Sequence, residues 1–184
     1  MSHSFPTHSN STQRSTILIG MPGAGKSTLG VQLAKALAKD FIDTDLLIQL
    51  KHGATLDHIL RSEGYVALRA LEESVLLQAD YPNHVIATGG SAVYSEAAIA
   101  HLRQYGPLVY LKVSEEELIN RIHDMETRGI ASAPSQSFHD IFVEREALYE
   151  HYADVIINCD GKSQQDLVIE LLMWLSDAYI TQDA

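Results

Sequence analysis

The chain has 184 residues, a length that suits one domain, and at 46% hydrophobic and 20% charged it can bury a core, which excludes wholesale disorder. Asp and Glu total 24 against 13 Lys and Arg, and the net charge of −11 sets nucleic acid aside as an expected partner. The sole cysteine, Cys159, excludes an internal disulfide and a cysteine-based metal site.

Residues 1–15, MSHSFPTHSNSTQRS, hold one Phe and no apolar run. They read as a flexible tail without a secretory signal, ahead of a single domain over 16–184. Short β-rich runs then alternate with helical patterns. Strands are expected at 16–19, 40–43, 84–88, 107–113 and 153–158, most with apolar residues on both faces. Helices are expected at 27–39, 46–51, 56–61, 65–79, 96–104, 115–125, 138–151 and 164–178. Ser95, Ser114 and Ser163 stand where N-caps belong. Five strands alternating with helices predict an α/β domain with a mainly parallel sheet. The polar segment 126–137, ETRGIASAPSQS, fits neither element and reads as a lid, a binding loop or an insertion. No stretch approaches the ~20 apolar residues of a membrane span. The expected setting is a reducing cytoplasm, and the expected state a monomer.

The sharpest motif is GMPGAGKST, beginning at Gly20, which matches the phosphate-binding P-loop. An apolar run before it and an amphipathic pattern after it supply the strand–loop–helix that the chemistry needs. Backbone N–H groups around Gly23, Ala24 and Gly25 form a nest for phosphate oxygens, and the helix that begins near Ser27 and Thr28 aims its positive end at them. Lys26 adds a full charge for the β- and γ-phosphates, and the Ser27 hydroxyl can ligate Mg²⁺. A nucleoside triphosphate is the expected ligand.

Partner residues narrow the reaction. Asp43 and Asp45 in FIDTD are two apart, so on an extended chain both carboxylates face one site at a strand's C-terminal end. One acid can support Mg²⁺ and the other can polarise an attacking hydroxyl; alternatively both cap a following helix. Gly89 and Gly90 in ATGG permit close backbone approach, or make a plain turn. Arg69 and Arg145 interrupt apolar helical stripes, and each alone reads equally well as a solvated or ion-paired arginine.

Taken together, GMPGAGKST, FIDTD, GYVALRALE, ATGG, a lid arginine and REALYEHYAD resemble the shikimate kinase family, from about Ile17 to Leu172. The resemblance implies a P-loop, nucleoside-monophosphate-kinase-like fold: five mainly parallel strands between helices, with a mobile lid at about 126–137. It implies ATP- and Mg²⁺-dependent phosphorylation of a hydroxyl on a small carboxylated acceptor, shikimate first, in aromatic amino-acid biosynthesis. It assigns Asp45 to the attacked hydroxyl, Asp43 to the metal, and Arg69 and Arg145 to the acceptor carboxylate. It further assigns backbone contacts to Gly89 and Gly90, the transferring phosphates to Arg128, and the adenine to Arg121.

Four positions depart from the family pattern: Ser91 for a third glycine, Gly129 for a proline, and Leu60 and Leu68 for aromatic residues. They alter the acceptor wall and leave the phosphate machinery intact. A kinase of another small hydroxy acid, such as homoserine or gluconate, is the second reading. A non-catalytic nucleotide-binding module is the third, opposed by paired acids and arginines that a mere binder does not need. The nine scattered histidines form no metal-binding pair and read as ordinary side chains.

Overall fold

The computed structural model describes residues 14–78, 80–121, 130–133 and 135–180. The apolar runs become β1 (Thr16–Ile19), β2 (Asp40–Asp43), β3 (His84–Ala87), β4 (Leu108–Lys112) and β5 (Val155–Asn158). All neighbours pair in parallel, in the order β2-β3-β1-β4-β5. β1 lies at the centre, and its four residues are buried because both edges are paired and both faces are packed. The chain reverses its direction of growth across the sheet at β1, between β3 on one side and β4 on the other. That switch point, at the C-terminal end of the strands, is where open α/β sheets take their ligands.

The helices are α1 (Lys26–Leu37), α2 (Thr44–His52), α3 (Leu56–Leu77), α4 (Glu96–Arg103), α5 (Glu115–Arg121), α6 (Phe138–Tyr152) and α7 (Gln164–Ile180). Ser95, Ser114 and Ser163 accept hydrogen bonds from the N–H groups of Ala98, Glu117 and Asp166. The two helical patterns on either side of Gly64 are both present, as two helical runs of α3 separated by a kink. Gly64, at φ 84° and ψ 169°, leaves the helical region there at little steric penalty.

One sequence expectation needs correcting. Asp45 does not continue the strand. The Asp43 carboxylate accepts from the N–H groups of Asp45 (3.0 Å) and Leu46 (3.3 Å), which starts α2 at Thr44 and places Asp45 in its first turn. Asp43 is therefore an N-cap as well as a site residue.

The main core joins β1, β3 and β4 to α1, α4, α6 and α7, and Leu167, Leu171 and Leu175 of α7 are buried in it. A separate small core holds Ile48, Ile59, Leu68, Val75 and Ala131, tying α2 and α3 to the 130–133 segment. This second cluster builds the wall that carries the acceptor-side residues. Residues 1–13 of the expected tail lie outside the described residues. Ser15 is buried, and its hydroxyl donates to Tyr81 O at 2.5 Å, so the packed domain begins at least one residue earlier than expected. Among the described residues no helix is long and apolar enough to cross a membrane.

Candidate active site

The P-loop connects β1 to α1. Gly25 sits in the left-handed region at φ 92°, immediately before Lys26 opens the helix. Lys26 is 8% exposed, and its Nζ donates to the carbonyls of Gly20 (2.6 Å) and Met21 (2.9 Å). Burial lowers its pKa from 10.5 to about 8, against the opposing charges of Asp45, Glu72 and Asp43. Ser27 Oγ donates to Asp43 Oδ2 at 2.6 Å, so the two residues expected at the metal meet directly.

A cavity of about 390 Å³ runs from this loop to the acceptor side. Gly23, Gly25, Lys26, Ser27 and Thr28 line one end, while Asp45, Leu68, Gly90, Ser91 and Arg145 line the other. Burial, reinforced by the charge of Asp43 and opposed by that of Lys26, raises the Asp45 pKa above the ordinary carboxylate value. A carboxylate so placed is a better proton acceptor than a solvated one.

Arg69 on α3 and Arg145 on α6 converge. Arg69 Nη2 (3.1 Å) and Arg145 Nη2 (2.7 Å) both donate to the carbonyl of Ala131. Arg145 is 1% exposed, and among the described residues neither arginine forms an ion pair. Of the two, Arg145 lines the cavity and Arg69 does not; with no ion pair to either, the guanidinium groups leave this end locally positive, with Glu72 the acid that acts on Arg145.

Gly89 and Gly90 are required by space. A Cβ on Gly89 would overlap Glu72 Oε1 and come within 2.5 Å of Asp45 Oδ1. One on Gly90 would lie 2.7 Å from Pro22 Cδ and 3.0 Å from Arg145 Nη1. The Gly89 N–H is already taken by Thr44 Oγ1 at 3.0 Å, which leaves Gly90 as the freer backbone contact for a ligand.

The structure also shows what the sequence reading missed. Glu72 is 3% exposed and lines the cavity; its Oε2 accepts from Ser91 Oγ, while its Oε1 has no partner among the described residues. Burial and the neighbouring charge of Asp45 push its pKa up from 4.5 to about 7. The signal was present: an acid three residues after Arg69, on the same helical stripe as Leu68, Val75 and Leu76. Tyr94, in a 3₁₀ turn after Ser91, touches both arginines and had no sequence signal. Of the departures, Leu68 and Ser91 line the cavity, whereas Leu60 packs in the small core. Arg121 ends α5 paired with Glu117 at 2.8 Å and does not line the cavity. Arg128 and Gly129 lie outside the described residues.

A P-loop opening onto a cavity lined by Asp45 and Arg145, with Asp43 capping the next helix and Arg69 beside Arg145, defines a small-molecule phosphotransferase on a P-loop fold. The shikimate kinase family model matches residues 22–176. A shikimate kinase of Paracidovorax citrulli is 37% identical over 174 residues, spanning 91% of this chain and 95% of the relative. The solved structure of a shikimate kinase from Acinetobacter baumannii in complex with shikimate superposes with a TM-score of 0.82 at 31% identity, covering 91% of this chain and 96% of that one. A gluconokinase from Sinorhizobium meliloti, at 18% identity and a TM-score of 0.56, shares the fold alone, across 93% of this chain and 96% of its own. The chain belongs to the shikimate kinase family.

Proposed function

We propose that this protein transfers the γ-phosphoryl group of ATP to a hydroxyl of shikimate. The observation that carries the assignment is the single cavity whose one end is the P-loop and whose other end holds Asp45 and Arg145. The phosphate end of a nucleotide and a small carboxylated acceptor can meet there.

Phosphoryl transfer is mostly positioning and charge stabilisation. The loop N–H groups and Lys26 hold the β- and γ-phosphates. Ser27 and Asp43 would hold Mg²⁺, because one hydroxyl and one carboxylate, completed by phosphate and water oxygens, suit that ion. When bound, the ion neutralises phosphate charge. Asp45 orients the attacking hydroxyl and accepts its proton. Arg69 and Arg145 grip the acceptor carboxylate through parallel N–H donors, and Gly90 adds a backbone contact. The family resemblance gives Arg128 to the transferring phosphates, Arg121 to the adenine face and segment 126–137 to a closing lid. The protein works as a monomer in the cytoplasm on this reading.

The test is ADP release, coupled to a dehydrogenase, with shikimate, homoserine and gluconate supplied separately at millimolar concentration. Shikimate should stimulate release well above the rate without acceptor. If only homoserine or gluconate does so, the acceptor is wrong; if none does, the kinase assignment is wrong.

A further inference from the structure

Tyr94 stands behind the acceptor pocket, not in it. It follows Ser91 in the short turn Ala92–Tyr94 and, like Arg69, is absent from the cavity wall, which Arg145 reaches. Its ring lies 3.6 Å from Arg69 Cζ, at stacking distance, and 5.4 Å from Arg145 Cζ. Its hydroxyl is 3.4 Å from Arg145 Nε, which donates to it. A second ring, Tyr65, lies 5.2 Å from Arg69 Cζ on the same helix. Arg69 Nε is buried without a hydrogen-bond partner among the described residues, so ring contacts and one carbonyl hold that guanidinium.

An aromatic ring holds a guanidinium in a way that an acid cannot. The contact uses the flat face of the cation, attracted by the electron-rich face of the ring. It does not occupy the in-plane N–H groups that bind a carboxylate, of which Ala131 O takes one Nη2 from each arginine and the Tyr94 hydroxyl takes Arg145 Nε. An Asp or Glu in the same place would occupy those groups and cancel the charge. A ring between two arginines also offsets their mutual repulsion while keeping both charged.

We propose that Tyr94 is a positioning residue: it holds Arg69 by its ring and Arg145 by its hydroxyl so that both present their N–H edges to the carboxylate of the acceptor. The inference rests on Arg69 and Arg145 being the carboxylate grip, and its test separates the two ideas.

Steady-state constants are measured for shikimate and for its methyl ester, which lacks the negative charge, in the wild-type protein and in Tyr94→Phe, Tyr94→Leu and Tyr94→Met. Calorimetry gives the ATP Kd, and circular dichroism checks folding. Tyr94→Phe keeps the ring and loses a long hydrogen bond, so KM for shikimate should rise about threefold. The ring-less variants should raise it about tenfold or more, with kcat and ATP affinity within about threefold. KM for the ester should move less than about twofold in every variant, because no anion is there to be gripped. If the wild-type protein uses acid and ester with equal KM, the carboxylate grip fails and takes Tyr94 with it. If the wild type prefers the acid but the ring-less variants leave KM unchanged, or shift acid and ester alike, the role of Tyr94 fails alone. If neither ring-less variant folds, Tyr94 is a core residue and the proposal is overturned.

Discussion

Glu72→Gln is the perturbation whose outcome the structure constrains most tightly. Glu72 is 3% exposed, and burial together with the charge of Asp45 raises its pKa from 4.5 to about 7. In the unfolded chain the same carboxyl ionises near 4.5. Between those values the folded protein holds a proton that the unfolded chain has released, so stability falls as pH rises from about 4.5 to about 7. At about 1.4 kcal/mol for each tenfold change, that loss amounts to about 3 kcal/mol. Glu72→Gln keeps the side chain's size and an acceptor for Ser91 but is neutral throughout. Below about pH 4, where both states of the parent are protonated, the variant should match it, and by pH 5 a small gap opens. At pH 8 it should be more stable by up to about 3 kcal/mol, a figure that already includes the attraction of Lys26 and Arg145 for the ionised carboxylate. Urea unfolding at pH 5, 6, 7 and 8, with the slope checked for constancy, measures this directly. Parallel stability curves for the two proteins, with the same gap at pH 5 as at pH 8, would refute the reasoning, since no titrating carboxyl would then separate them.

Two further outcomes bear on the reaction itself. Lys26→Ala should weaken ATP binding by a factor on the order of 10 to 100, the loss of a charge-assisted contact worth about 1.5–3 kcal/mol, and an unchanged Kd by calorimetry would remove the P-loop assignment. Asp45→Asn keeps shape but removes the carboxylate that we propose takes the hydroxyl proton, so turnover in the coupled assay should drop by a factor on the order of 100 or more with ATP affinity retained; turnover within about threefold of the parent would end the proposed catalytic role of Asp45.

How much of this could be read in advance depended on whether a feature is local in the chain. The P-loop is a contiguous segment between a strand and a helix, so its letters carry its geometry. The same holds for the alternation of apolar runs that predicts β1 to β5, and for the break at Gly64, where a residue without a Cβ separates two helical patterns. Asp43 and Asp45 were found for a partly mistaken reason. Their shared site does not come from strand alternation; it arises because the Asp43 side chain caps α2 and turns Asp45 into the first helical turn. Features assembled from distant segments were not legible. The pairing of Ser91 with Glu72, the sharing of the Ala131 carbonyl by Arg69 and Arg145, and the contacts of Tyr94 with both arginines each join residues 14 to 62 positions apart. No periodicity encodes such meetings.

Two departures from the family pattern, Leu68 and Ser91, lie on the acceptor side of the cavity, and that placement decides what they can change. Ser91 and Leu68 line the acceptor wall, while the loop residues that meet the phosphates follow the motif without exception. Ser91 is not an isolated change, because its hydroxyl satisfies one oxygen of the buried Glu72. Where a glycine would leave that carboxylate with both oxygens unpartnered, the serine fixes it beside Asp45. Leu68 gives up a ring at the wall, yet Tyr65 and Tyr94 place two rings against Arg69 from behind. The rings at this end therefore contact the Arg69 guanidinium, while the cavity wall at Leu68 is aliphatic. What is selected at the carboxylate end then depends on charge held in place, and what is selected at the ring face depends on an aliphatic wall. A chain with a net charge of −11 attracts anionic ligands only through such local cation clusters, since its long-range field opposes them. Lys26 and Arg145 on the cavity wall, with Arg69 sharing the Ala131 carbonyl behind Arg145, supply that local positive charge although Asp45 and Glu72 lie nearby.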